Sequence, residues 1–242
     1  MSAARQQTPD GVTHLDRLEL HYAPRGWPFA ETRRAEIDAH FSEHKRRKPA
    51  LWNGRVLLLH EYSMSYGVLR GAFLETDFAS FSAWRDWGYP EAGVADCFGA
   101  GAILTADGAF LLGVMGPHTA KAGEIYFPCG TPEPGDIVGN KVDFDRSLTR
   151  EIAEETGLDA AGFAPEPGWT LAKKGARLAL IKTLRTPDSA EILRARVLGH
   201  LAREQQPELA GLRLASGPED LEPAVLDFVS IFLRHHWARP CQ

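Results

Sequence analysis

The stretch Arg150 to Leu158 reads REIAEETGL. At 3.6 residues per turn, positions three and four apart are neighbours on a helix. Glu151 therefore lies beside both Glu154 and Glu155, while Arg150 reaches Glu154. Three carboxylates share one small patch, and two of them fall in the last turn before Gly157, where the helix dipole is already negative. The cluster repels itself, and a bound divalent cation would relieve the repulsion. Hard oxygen ligands gathered in this way suit Mg²⁺ or Mn²⁺, which keep several waters and take further ligands from substrate phosphates. The plainer alternative is a solvated Glu-rich face carrying an Arg-Glu salt bridge.

More than the glutamates is present. Arg150, Glu151, Ile152, Glu154, Glu155, Gly157 and Leu158 fill every place of R-E-U-x-E-E-x-G-U, with U aliphatic. With average residue usage, a chance match in a chain this long has odds on the order of 1 in 100,000. The stretch resembles the core of the Nudix box, whose full pattern is G-x5-E-x7-R-E-U-x-E-E-x-G-U. The resemblance implies an α/β fold of the α+β kind, an α/β/α sandwich with a mixed β-sheet. It also implies Mg²⁺ or Mn²⁺ on Glu151, Glu154 and Glu155, with Arg150 orienting Glu154. The reaction implied is hydrolysis of the diphosphate linkage in a nucleoside diphosphate joined to another group X.

Upstream the pattern departs from the box. Gly130 is followed by TPEPG and Asp136, so G-x5-E becomes G-x5-D. Thirteen residues, 137–149, separate Asp136 from Arg150 where the pattern has seven. Asp143 and Asp145 are natural N-caps for the helix, because a short acidic side chain bonds the free N–H groups of the first turn. Asp143 lies nearer the register of the missing Glu, and capping is the role assigned to it. The departures leave a second reading open, a Nudix-fold module that binds a nucleotide or partner protein without hydrolysing it. The intact glutamate trio speaks against that reading.

The flanking sequence supplies strands for the helix to rest on. Ala100 to Thr105 and Phe110 to Met115 form a hairpin about Asp107-Gly108, and Gly123 to Asp136 alternates into a further strand and a Gly/Pro-rich turn. Leu178 to Leu184 and Glu208 to Leu214 are strand-like, Ser189 to Gln205 and Glu219 to Trp237 helical. Ahead of the box, Leu15 to Tyr22 reads as one strand, Glu31 to Lys45 as a helix, and Arg55 to Tyr62 and Tyr66 to Glu75 as paired strands. Thr76 caps a helix through Phe81 and Trp84. YPEAG near Tyr89 to Gly93 divides the chain into an N-terminal α+β extension, 1–92, and a Nudix domain, 93–242. The order of PALWNGRVLLLH (49–60), a hairpin and a box with a long loop is similar to Nudix relatives of a UDP-sugar hydrolase, which places nucleotide sugars first among substrates. A homodimer through the N-terminal segment is a further implication of the family resemblance.

Other residues give less. Glu204 and Glu208 are candidates, by position, for the loop acid that completes such sites as metal ligand or general base. His40 and His44 have helical i, i+4 spacing, but no third ligand accompanies them in sequence, so a surface pair is expected. Trp84 and Trp87 are expected in the core rather than against a base. A net charge of −5 over 242 residues argues against nucleic-acid binding through bulk charge. No apolar run is long enough for a membrane span and no signal pattern opens the chain. Cys97, Cys129 and Cys241 show no paired spacing, which fits a cytoplasmic location.

Overall fold

Residues 9–49, 51–119 and 121–239 are described in the computed structural model; Cys241 lies outside them. The expected first strand is two, β1 (Gly11–Leu15) and β2 (Arg17–Tyr22). The backbone N–H groups of Asp16 and Arg17 both donate to the Gly67 carbonyl, at 2.7 and 3.2 Å, and this turn sends the two strands into different sheets. Two helices follow, α1 (Pro28–Thr32) and α2 (Arg34–Arg47), in place of one. Strands β3 (Arg55–Ser65) and β4 (Val68–Asp77) form a hairpin about Tyr66-Gly67, and α3 (Phe78–Asp86) starts directly after it. Its cap is Asp77 rather than the expected Thr76: Asp77 accepts from the Ser80 N–H at 2.9 Å.

The second half contains β5 (Asp96–Leu104), β6 (Phe110–Met115), β7 (Ile125–Tyr126), β8 (Cys129–Gly130), β9 (Ile137–Val138) and β10 (Lys141–Val142). Helix α4 (Phe144–Thr156) carries Arg150, Glu151, Glu154 and Glu155, followed by β11 (Ala164–Pro165), β12 (Trp169–Lys174), β13 (Arg177–Arg185), α5 (Ala190–Leu201), β14 (Leu209–Ala215) and α6 (Asp227–Trp237). The segment expected as a closing helix from Glu219 begins instead as a single 3-10 turn, Pro218–Asp220, and becomes α-helical only at Asp227.

Among the described residues two mixed sheets form. The larger follows the order β1-β12-β13-β5-β6-β14, with β13 parallel to β5, and the smaller follows β3-β4-β2-β10-β9. Strands β5 and β6 pair at Leu104 and Phe110 and then diverge, so that β8 joins β5 and β7 joins β6 within the opening. This divergence brings Cys129 and Gly130 beside the middle of β5.

Strand β5 is buried along its whole length, and neighbouring residues point to opposite faces. Phe98 meets Phe228 of α6 edge-on at 5.1 Å, whereas the next residue, Gly99, faces Phe144 of α4. The larger sheet is thus covered by helices on both sides, an α/β/α arrangement. A Cβ on Gly101 would lie 3.0 Å from Ile152 and 3.2 Å from Leu148, so the glycines of β5 let α4 settle closely onto the sheet. Phe144, Leu148 and Ile152 form the buried stripe of α4 at four-residue spacing. Phe144 also lies 5.9 Å from Phe73 of the smaller sheet, which covers the helix from its other side.

Pairings cross the Tyr89 to Gly93 segment: β1 with β12, β2 with β10, and Leu59 with Ala95. Trp84 is buried, its indole N–H donating to the Pro90 carbonyl at 2.8 Å, as a core role requires. No helix among the described residues is long and apolar enough to cross a membrane.

Replacing Ile152, which is fully buried, by alanine should lower the unfolding free energy in urea by about 2–5 kcal/mol. A loss below about 1 kcal/mol would mean that this stripe does not hold α4 on the sheet.

Candidate active site

Helix α4 is fixed at both ends. Asp143 is its N-cap, accepting from the Arg146 N–H at 3.2 Å, and Gly157 ends it in the left-handed region with φ 67°. A side chain at Gly157 would also collide with His200, 2.3 Å from the added Cβ. With Ile152 facing the sheet, the three glutamates span a gradient of exposure. Glu155 is buried, the Glu151 side chain is 14 % exposed and that of Glu154 58 %.

The extra residues before α4 have a simple structural form. β9 and β10 pair as a hairpin about Gly139, and β10 adds to β2 of the smaller sheet. At the base of the hairpin the Asp143 N–H donates to the Asp136 carbonyl at 2.9 Å. With residues 137–142 looped out, seven residues, 143–149, separate Asp136 from Arg150, which is the interval of the box pattern. The insertion is therefore a closed hairpin between Asp136 and Asp143 and does not lengthen the path from Asp136 into the helix.

Arg150 is the centre of the polar network. Its Nη2 donates to Asp136 Oδ2 at 3.2 Å, and its Nη1 lies 2.9 Å from Glu151 and 3.1 Å from Glu154. Glu133 lies 3.6 Å from its Nε. Asp136 is almost fully buried and also accepts from the Glu133 N–H at 3.0 Å, within the turn Pro134–Asp136. The Glu133–Asp136 turn and its grip on Arg150 escaped the sequence reading. Its signal was the acid pair in TPEPGD, three residues apart around a proline.

For the other acids burial outweighs what positive charge is near them. Burial, together with Glu154 and Glu208, pushes Glu151 up to about 7 against the opposing pull of Arg150. Glu155 is pushed well above the carboxylate range by burial, Glu208 and Glu151, although the Cys129 backbone N–H favours its charged form. Its Oε2 is buried without a hydrogen-bond partner. Burial and Glu154 also raise Glu208. The Glu208 carbonyl accepts from the Gly116 N–H at 2.7 Å, which holds this loop residue beside the end of β6. Glu204 instead turns to His200, 3.2 Å away. The half-buried Cys129 thiol is raised by burial and by Glu155 and Glu151, so it stays protonated in this acidic surrounding.

A Cβ on Gly130 would lie 1.9 Å from Glu151 Oε1, so any larger residue there would have to move that carboxylate. The donor set is rich in carboxylate oxygen, short of positive charge, and contains an unsatisfied buried oxygen. Those properties fit a hard divalent cation. Arg150 draws Glu151 and Glu154 to one nitrogen while Glu155 turns to Cys129. Among the described residues the three do not bring an oxygen each within 4.8 Å of one another. A separate cleft of about 580 Å³ opens beyond the C-terminal end of α4, lined by Gly157, Phe163, Arg196, His200 and Arg203.

No family model matches the chain, and no curated protein does. Solved structures similar to it include DR0079 of Deinococcus radiodurans, with a TM-score of 0.41 and 11 % identity over 57 % of this chain and 81 % of that one. The Nudix hydrolase RenU of M. smegmatis gives a TM-score of 0.36 and 14 % identity over 59 % and 84 %. A C. elegans Ap4A hydrolase gives 0.35 and 15 % over 51 % and 81 %. At these scores the likeness carries no argument about activity, and the functional reading rests on the site itself.

Raised carboxylates favour the protonated folded state, so the stability they permit is complete at acid pH and is lost as pH rises through their folded values. His40, His60 and His236, lowered by burial, act in the opposite sense. The informative quantity is therefore a difference between variants. With divalent cations chelated, Glu155→Gln should melt within error of the parent at about pH 5 and several degrees above it at about pH 8. A difference that is flat with pH would contradict the raised value of Glu155.

Proposed function

We propose that this chain is a divalent-cation-dependent hydrolase of the Nudix kind, cleaving the diphosphate linkage of a nucleoside diphosphate joined to a group X. The observation that carries the reading is the looped-out hairpin. It brings Asp136 to the box interval from Arg150, and Arg150, Glu151, Glu154 and Glu155 follow in sequence in the order of the box. The mutual electrostatic stress of Glu151, Glu155 and Glu208 supports it independently, because clustered buried acids are costly unless something positive joins them.

Glu151, Glu154 and Glu155 are the residues that would hold Mg²⁺ or Mn²⁺. Such a cation, when bound, neutralises phosphate oxygens and lowers the pKa of a coordinated water. The protein's own part is positional. Arg150, anchored by the buried Asp136, aims Glu151 and Glu154 from one side. Gly130 leaves room for the Glu151 carboxylate, and the Cys129 amide orients Glu155. Glu208, raised above the ordinary carboxylate value and set on a loop beside the cluster, is suited to take a proton from the attacking water. Its pairing with His200 makes Glu204 the weaker candidate for that role.

Nucleoside diphosphate sugars are the first substrate class, followed by ADP-ribose, dinucleotides, coenzyme A derivatives and nucleoside triphosphates. The order of the N-terminal segment, hairpin and long-looped box supports this ranking. A panel of these compounds, assayed for phosphate products with Mg²⁺ or Mn²⁺, tests the proposal. Turnover should require the cation, and Glu155→Gln should reduce it by about 100-fold or more. Glu208→Gln should lower kcat with little effect on KM. Nucleotide binding without any turnover across the panel would replace hydrolysis with a binding role.

A further inference from the structure

Helices α2 and α3 lie side by side in the N-terminal part of the chain. Ile37 of α2 is fully buried against Ala79 and Ala83 of α3. Near the start of both helices, Arg34 Nη1 donates to Asp77 Oδ2 at 2.9 Å and to Ser80 Oγ at 3.2 Å. From the middle and last turn of α2, His40 and His44 approach Asp86, the last residue of α3. Because the start of α2 meets the start of α3 and its later turns meet the end of α3, the helices run in the same direction, and the negative end of the α3 dipole lies beside His40 and His44.

His40 Nε2 lies 3.3 Å and His44 Nε2 3.6 Å from the same oxygen, Asp86 Oδ2. The sequence leads to the expectation of a surface pair with no third candidate ligand; the structure sets Asp86 beside the pair. Asp86 was hidden in sequence because it comes from another helix. Among the described residues these three are the set whose ligand atoms all lie within 4.8 Å of one another. Both separations exceed the usual reach of a directed N–H···O hydrogen bond. They are close to the ~3.3 Å edge of a tetrahedron whose metal–ligand bonds are about 2.0–2.1 Å.

The surroundings hold the ligands in place. The His40 ring meets Trp87 edge-on at 5.7 Å and lies 4.2 Å from the His44 ring. Burial and the neighbouring His44 lower His40, which keeps its imidazole in the neutral, metal-ligating form. Arg85 Nε donates to Asp86 Oδ1 at 3.1 Å, leaving Oδ2 for the imidazoles and for a 3.4 Å contact from the Ser82 hydroxyl. His44 and Asp86 also line a cleft of about 210 Å³ bordered by Arg47, Lys48 and Arg85, which gives solvent or an anion access to a fourth position.

We propose that His40, His44 and Asp86 form a second metal site, separate from the glutamate cluster, for a zinc-class transition cation. Two imidazole nitrogens and one carboxylate select such a cation over Mg²⁺, whose preferred ligands are all oxygen. Three protein ligands leave one coordination position open. The bound ion would clamp the second half of α2 to the C-terminal end of α3 and supply positive charge that the α3 dipole favours.

The test uses the full chain stripped with chelator, in a Glu151→Gln/Glu155→Gln background that removes oxygen ligands from the other cluster. Calorimetric titration with Zn²⁺ should give about one ion per chain, and His44→Ala or Asp86→Asn should weaken binding by about 10-fold or more. In the same titration without further substitution, the ring nitrogen resonances of His40 and His44 should shift with the first equivalent. Zn²⁺ affinity unchanged by His44→Ala and Asp86→Asn would overturn the proposal, as would ring resonances that stay in place. Should His44→Ala melt early in the absence of metal, His44→Gln and the ring resonances give the reading.

Discussion

One guanidinium holds acids together that would otherwise drive each other apart. Arg150 contacts Asp136, Glu151 and Glu154 and stands close to Glu133. A single positive charge cannot balance these together with Glu155 and Glu208, which share the same field. The imbalance is costly because the cluster is largely buried, where charges are less screened than in water. Side chains do not escape it by moving apart, since packing fixes the helix that carries them. Ile152 and Leu148 seat α4 on the glycines of β5, and the absence of a Cβ at Gly130 leaves space for the Glu151 carboxylate. Protonation answers the imbalance without metal; a divalent cation would answer it in a form that can also meet phosphate.

The hairpin before α4 shows how an insertion can leave such a site intact. Its two ends meet through the Asp143 amide and the Asp136 carbonyl, so the chain re-enters the helix as though the extra residues were absent. The looped-out part is used elsewhere, as two strands of the smaller sheet. That sheet carries the N-terminal strands and covers α4 through Phe73, which ties the candidate site physically to the first part of the chain.

The sequence carried the box helix clearly because its apolar stripe, its cap and its terminal glycine all agree locally. Asp143, Ser189 and Gly157 take the positions that their chemistry suggests. What the sequence concealed depends on contacts between distant segments. The break at Asp16 is made by Gly67, and the cap of α3 moves one residue to Asp77, where Arg34 of another helix also binds it. The spacing from Asp136 looked wrong because a linear count cannot distinguish a longer loop from a closed hairpin. His40 and His44 looked solitary for the same reason, since Asp86 reaches them only through the packing of α2 on α3.

The central claim is that the box glutamates sit in an electrostatically stressed cluster that a divalent cation relieves. Carbon-13 spectra of chain labelled at the glutamate carboxylates, recorded across pH with and without Mg²⁺, test it directly. Without cation, Glu151, identified by its loss in Glu151→Gln, should titrate near 7, well above an exposed glutamate. Saturating Mg²⁺ should move that transition below the ordinary carboxylate range. A Glu151 resonance that titrates with the exposed glutamates and is indifferent to Mg²⁺ would contradict the account.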